Sequence, residues 1–327
     1  MNSFGRTQKT LGLLEELTKG AFALAVPEEF VARFMEGRRA IRAATEHEIR
    51  AAGRYLEGTE YALKQGGNHL WGQSTVEENF ALTQIVEWLQ PQGILEIGLF
   101  RGQTALTLHR AQAAVKDWAY LGIDPDPVAI STTRAVLKKF GLGEKSQFTQ
   151  ETSRAGLENL PTIDFALIDG DHAYASVAAD FAAVYNRLPV GGVVAMHDVG
   201  TPAYGFTQQD PGHLLHRVLP NILGGDAQRF CLDGMCRQTT MQLLSPERLA
   251  FTDTAAEAQA IARVTMVDTV DGWGGMGFVV KLSPTRKVEL AELLAHAPVA
   301  AAESAGPAAK RGTIFGRAAR KLAKYVP

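Results

Sequence analysis

Between Pro91 and Val199 short apolar runs alternate with helical stretches, and that alternation leaves few folds open to the chain. Strands are expected at Ile94 to Ile97, Tyr120 to Asp124, Gln147 to Thr149, Phe165 to Asp169 and Val193 to His197. Helices are expected between them at Thr104 to Ala114, Val128 to Phe140 and Ser176 to Leu188, with Gly191-Gly192 turning the last helix into its strand. Strands and helices of these lengths in alternation build βαβ units, hence an α/β domain whose parallel sheet is covered on both faces. In such a sheet ligands bind beyond the carboxyl ends of the strands, where loops begin over a rigid floor.

Two strand ends carry acids and histidines at that edge. One reads Asp169-Gly170-Asp171-His172-Ala173-Tyr174, and the other ends in His197-Asp198. Together they form one candidate site, able to hold a divalent cation and a general base. A third strand end, Glu96-Ile97-Gly98-Leu99-Phe100-Arg101-Gly102, leads through a glycine turn into a helix start, which offers free amide donors and close backbone approach. Phe100 stands where the dinucleotide fingerprint needs its second glycine, so a close pyrophosphate approach is disfavoured and NAD loses ground. Asp124 closes the next strand, where a carboxylate can accept both hydroxyls of a ribose.

In this order and spacing, Glu96-x-Gly98-x-x-x-Gly102, Asp124, Asp169-Gly-Asp-His172-x-Tyr174, Gly191-Gly192 and His197-Asp198-Val199 resemble the class I S-adenosylmethionine-dependent methyltransferases. The likeness is to the bacterial macrocin O-methyltransferase-like enzymes, and more distantly to catechol and caffeoyl-coenzyme A O-methyltransferases. It implies a Rossmann-like, mostly parallel seven-stranded sheet with helices on both faces, whose last strand is Gly277 to Leu282. It also implies O-methylation of a small-molecule or sugar hydroxyl. Glu96, Gly98 and Gly102 would then hold the amino-acid end of S-adenosyl-L-methionine, Asp124 its ribose, and Thr152 and Ser153 would lie near its adenine, with Asp169 also at the cofactor. His172, or Asp171 in its stead, would be the general base. Asp169, His197 and Asp198 would hold a divalent metal.

Relatives with an established metal site tend to carry an acid where this chain has His197. Nitrogen in place of oxygen weakens a magnesium site and favours manganese, iron or zinc. Alternatively His197 turns into the core or bonds Asp169, leaving a metal on two aspartates or none. Cephalosporin hydroxylase-like proteins share the scaffold, so a metal-dependent enzyme of that type is the alternative activity; a non-catalytic, membrane-peripheral protein is the third reading. Tyr174 and Trp71 are candidate acceptor contacts or core residues.

The flanks divide the chain further. Residues 1–72 read as a helical extension, with a helix from Pro27 to about Leu63. Residues 73–283 form the methyltransferase-like domain and open on the capping box Ser74-Thr75-Val76-Glu77, with the helix running to about Trp88. Gly205 to Gly225 reads as a loop-rich insertion with a helix around His213 to Leu223, and Thr239 to Leu244 is a further expected strand. Residues 284–309 contain a helix end and an Ala/Pro-rich linker. Residues 310–327 carry Lys310, Arg311, Arg317, Arg320, Lys321 and Lys324 without an acid, so the rest holds 27 basic against 35 acidic groups, a net −8.

A body this acidic is a poor partner for a nucleic-acid backbone. The basic tail could form an amphipathic helix resting on anionic lipid, and an oligomer is compatible with the sequence. No run approaches a membrane span, the apolar stretch 21–26 lacks a basic leader, and Cys231 and Cys236 read as free thiols. These features point to a cytoplasmic protein, peripheral at the membrane if the tail binds lipid.

Overall fold

A computed structural model describes residues 3–18, 26–52, 74, 76–153, 162–199, 211–231 and 275–297. Two helices, α1 (Ser3–Thr18) and α2 (Glu28–Ala52), precede α3 (Val76–Leu89). Then follow β1 (Gly93–Ile97), α4 (Gln103–Ala111), β2 (Ala119–Ile123), α5 (Pro127–Lys139), β3 (Ser146–Thr149) and β4 (Phe165–Ile168). Next come α6 (Tyr174–Tyr185), β5 (Val193–His197), α7 (Pro211–His213), a π-helical turn (Leu214–Val218) and α8 (Leu219–Leu223). The described chain ends with β6 (Ala227–Cys231), β7 (Met276–Lys281) and α9 (Leu290–Ala295).

The strands form one seven-stranded sheet in the order β3-β2-β1-β4-β5-β7-β6. The five strands from β1 to β5 run parallel, while β7 lies antiparallel between β5 and β6. The chain order reverses at β1, with β2 on one side and β4 on the other, so their carboxyl ends open on a common crevice.

Side chains along each central strand alternate between two covered faces. Leu95, Ile97, Ala166, Ile168, Val194, Met196 and Val279 face α6, the π turn and α9. Ile94, Phe165, Leu167, Val193, Ala195, Phe278 and Val280 face α1, α3 and α4, where Leu14 packs with Leu82 and Ile85. Both faces are covered, so these strands read as unbroken apolar runs. Outside that layer α2 packs on α4 and α5 through Ile41, Leu106, Val136 and Leu137. Its first turns meet α3 through Val31, Phe34, Met35 and Val76.

Expected boundaries hold to within three residues for every β1-to-β5 strand and helix named, because apolar period and turn residues coincide there. The helix expected from Pro27 to Leu63 is described only to Ala52. Of the capping box, Ser74 Oγ accepts from Asn79 Nδ2 at 2.7 Å and approaches Thr104 Oγ1 at 3.4 Å, so it ties α3 to the start of α4. Strand β6 lies just beyond the insertion read over Gly205 to Gly225, where the sequence marks no element, whereas Trp71, Cys236, the strand expected at Thr239 to Leu244, the linker from residue 298 and the basic tail lie outside the described residues. Among the described residues no helix is long and apolar enough to cross a membrane.

Candidate active site

The loop after β1 is built by backbone that only certain residues accept. Gly98 and Gly102 have φ of 88° and 82°, and Phe100 between them reaches 48°. A Cβ on Gly98 would stand 2.0 Å from the Asp169 carbonyl oxygen, so the loop lies directly on the backbone that follows β4. Gly98 therefore brings the glycine turn and the first acid of the second half into contact.

Asp124 organises the same loop. Its Oδ2 accepts from the amides of Leu99 at 2.8 Å and Phe100 at 3.2 Å, and its Oδ1 from Asp126 at 2.8 Å. Two amides that could have met a pyrophosphate already face a carboxylate, which agrees with the absence of the dinucleotide fingerprint. The carboxylate has lone pairs left for further donors, since each oxygen offers two. Burial raises its pKa, against the pull of those amides.

Glu96 is almost wholly buried in β1 and receives the Tyr120 hydroxyl at 2.7 Å. Desolvation pushes its pKa up to about 8, opposed by the Tyr120 bond and reinforced by Asp169 and Asp124. Ser153 donates to Asp180 on α6, which ties the chain just after β3 to that helix, and Thr152 beside it is exposed.

The acid and histidine residues of β4 and β5 converge. His172 Nε2 lies 2.7 Å from Asp198 Oδ2 and 3.6 Å from Asp169 Oδ1. Asp198 adopts φ 55°, a left-handed turn that Asp tolerates better than most residues, immediately after the strand ends. Burial alone would lower the His172 pKa, but the two aspartates outweigh it and raise it to about 10. Asp198 is held well below the usual carboxylate range: burial raises it, and His197 and His172 more than reverse that.

His197 takes the second of its two expected placements, turned into the core against Asp169. The His197 ring is buried behind the two aspartates, with Nδ1 3.3 Å from Asp169 Oδ1 and 3.3 Å from Asp198 Oδ1, and Nε2 3.1 Å from Glu78 Oε2. Desolvation disfavours its charge, yet Asp169, Asp198 and Glu78 together raise its pKa well above the ordinary value. The ligand atoms of Asp169, His172 and Asp198, by contrast, lie within 4.8 Å of one another. The donor set that the fold gathers thus has His172 where the sequence expectation put His197, and its mixed oxygen and nitrogen chemistry fits manganese, iron or zinc better than magnesium.

Asp171 is exposed and occupied as a cap: it accepts from the Ala173 amide at 3.2 Å and Ser176 Oγ at 2.8 Å at the start of α6. Tyr174 is buried and donates to the Leu293 carbonyl at 2.8 Å, which makes it a tie between α6 and α9. Glu78 and Tyr120 escape a reading of strand ends. For Glu78 a signal exists, since it shares a helical face with Leu82, Ile85 and Leu89, and an acid in an apolar stripe needs a partner.

Residues 95–199 match a protein family described as "Methyltransferase domain". Tapetum-specific methyltransferase 1 of Arabidopsis thaliana is 26% identical over 178 residues, 52% of this chain and 72% of its own. Flavonoid 3',5'-methyltransferase of Vitis vinifera is 28% identical over 103 residues, 29% of this chain and 43% of its own. Among solved structures, the O-methyltransferase TomG of Streptomyces achromogenes aligns over 75% of this chain and 90% of its own, at 14% identity and a TM-score of 0.42. Over residues 95–199, which hold the glycine turn after β1, the acid after β2 and the strand ends of β4 and β5, the chain is thus similar to a methyltransferase domain.

Proposed function

We propose that the protein is an S-adenosylmethionine-dependent O-methyltransferase acting on the hydroxyl of a small molecule, a sugar or a secondary metabolite. The observation that carries this reading is the seating of the Gly98 loop on the backbone of Asp169, which brings the glycine turn and the Asp169, His172 and Asp198 cluster to one strand edge. The grapevine relative's description as a flavonoid methyltransferase supports a small hydroxylated acceptor.

In this reading Glu96, Gly98 and Gly102 hold the amino-acid end of the cofactor, Asp124 its ribose, and Thr152 and Ser153 border its adenine. An ammonium arriving at Glu96 draws the carboxyl back to its ionised form. S-Adenosylmethionine supplies a methyl carbon made electrophilic by its sulfonium. With the cofactor bound, methyl transfer would form the product O–C bond as the sulfonium S–C bond breaks, and His172 would take the acceptor's hydroxyl proton. Asp198, at 2.7 Å, orients the ring and compensates the charge it gains.

A divalent cation held by Asp169 and Asp198 would lower the pKa of the acceptor hydroxyl and of His172. His172 must begin neutral to act as a base, and between two bare aspartates it is protonated. The 4.8 Å cluster supports a second role for His172 as a nitrogen ligand, a set that also suits a hydroxylase-like enzyme on this scaffold. His172→Gln separates these roles. As the base, it keeps Mn²⁺ binding and loses methyl transfer by about 10²-fold or more; as a ligand, it loses both. Incubating the protein with methyl-labelled cofactor and a panel of hydroxylated small molecules, followed by product mass analysis, tests the activity. Labelled product is expected, and iron in the purified protein without any labelled product would favour the hydroxylase-like reading.

A further inference from the structure

We propose that Glu78 is a positioning residue of the acceptor site, setting the geometry of the Asp169–Asp198 pair through His197. The proposal rests on the reading of that pair as the cation-holding group. Glu78 comes from α3, outside the βαβ core that supplies the aspartates, and is 1% exposed. Burying a carboxylate is costly unless its oxygens are matched. Here Oε1 accepts from the Gly275 amide at 3.0 Å and Oε2 faces His197 Nε2 at 3.1 Å. A carboxylate only accepts, so Nε2 is a donor, and the ring is held with Nδ1 3.3 Å from an oxygen of Asp169 and 3.3 Å from one of Asp198, close to both charges though outside good hydrogen-bond geometry.

That placement has a consequence for the two aspartates. They belong to adjacent strands and repel each other, and the His197 ring between them, anchored from behind, sets the separation at which their outer oxygens face the site. Without Glu78 the ring is free to turn about its Cβ–Cγ bond, and Nδ1 leaves the position between the carboxylates. Groups behind a ligand sphere act in this way on the ligands themselves, and their loss typically weakens metal binding by about 10–100-fold. Gly275 immediately precedes β7, so the same carboxylate also fixes where β7 begins beside β5. A purely architectural role for Glu78 would act through Gly275 and would not depend on His197.

The test is a double-mutant cycle on the full chain with Mn²⁺ as the probe, using Glu78→Gln, His197→Gln and the pair. Glutamine can still accept from Gly275 through its carbonyl, while its amide cannot accept from His197. We expect one Mn²⁺ per chain in the wild type, binding weakened about 10–100-fold in each single variant, no further weakening in the double variant, and affinity for S-adenosylhomocysteine within about threefold of wild type throughout. Unchanged Mn²⁺ binding in Glu78→Gln would overturn the proposal, as would losses that multiply in the double variant or a parallel loss of S-adenosylhomocysteine binding. Failure of the wild type to bind Mn²⁺ would remove the proposal together with the cation reading, and the cofactor titration would then report separately on the methyltransferase reading.

Discussion

Glu96 is a carboxyl group that the fold keeps neutral, and its stability cost runs opposite to that of most acids. Its folded pKa of about 8 lies above the unfolded value near 4.5, so the folded chain binds the extra proton between those limits. Stability from this group is complete below about pH 4.5 and is lost as pH rises through 8, on the order of 3–5 kcal/mol. Glu96→Gln, which can still accept from Tyr120, should melt near the wild type at pH 5 and above it at pH 8, while binding S-adenosylhomocysteine more weakly. Equal pH dependence in the two proteins would refute this. His109 runs the other way: burial lowers it to about 4, against the opposing pull of the Ala105 carbonyl, so its contribution is present above pH 6.5 and is lost as pH falls toward 4. A flattened acid limb in the melting curve of His109→Gln is the expected outcome. Asp169, His172 and Asp198 were legible as a group because strand ends converge by topology alone. The inward turn of His197 toward Asp169 was one of two placements left open, but its contact with Glu78 and the cap made by Asp171 were not legible, since they depend on partners set by packing.

At the scale of elements, α1 is part of the core rather than an appendage. Leu14 is fully buried against the layer formed by α3 and the sheet, so Leu14→Ala should cost about 2–5 kcal/mol in denaturant unfolding. A cost below about 1 kcal/mol would mean that α1 does not pack as described. The β1–α4 turn is equally exacting: Gly98→Ala forces a side chain into φ 88° and against the Asp169 carbonyl, a loss of at least about 2 kcal/mol and of cofactor binding together. Strands β1, β2, β4 and β5 could be read because burial on both faces makes each a short apolar run bounded by Gly, Pro or Asp, whereas β3, Ser-Gln-Phe-Thr, is a partly buried edge strand with a weaker signal. Strand β6, Ala-Gln-Arg-Phe-Cys, lies at the sheet edge with a mixed composition and offers no such run. The helix expected around His213 to Leu223 is present but divided by a π-helical turn, which a 3.6-residue period does not reveal.

For the molecule as a whole, the topological switch at β1 joins a half whose strand ends carry Gly98, Gly102 and Asp124 to one whose strand ends carry Asp169, His172 and Asp198; in the proposed reading the first holds the cofactor and the second does the acid–base work. The sequence order conveyed both halves, because each strand end announces itself by the residues after its apolar run. Their physical contact through Gly98 and Asp169 follows only from the register of β1 with β4. The acceptor pocket stayed illegible, since nothing periodic marks residues that surround a ligand from loops. The central claim is that the switch crevice binds a methyl donor, and calorimetric titration with S-adenosylhomocysteine tests it most directly. One ligand per chain at micromolar affinity is predicted, weakened at least about tenfold in Asp124→Ala, which loses both a ribose acceptor and the anchor of the Leu99 and Phe100 amides. No heat of binding at millimolar ligand would contradict it.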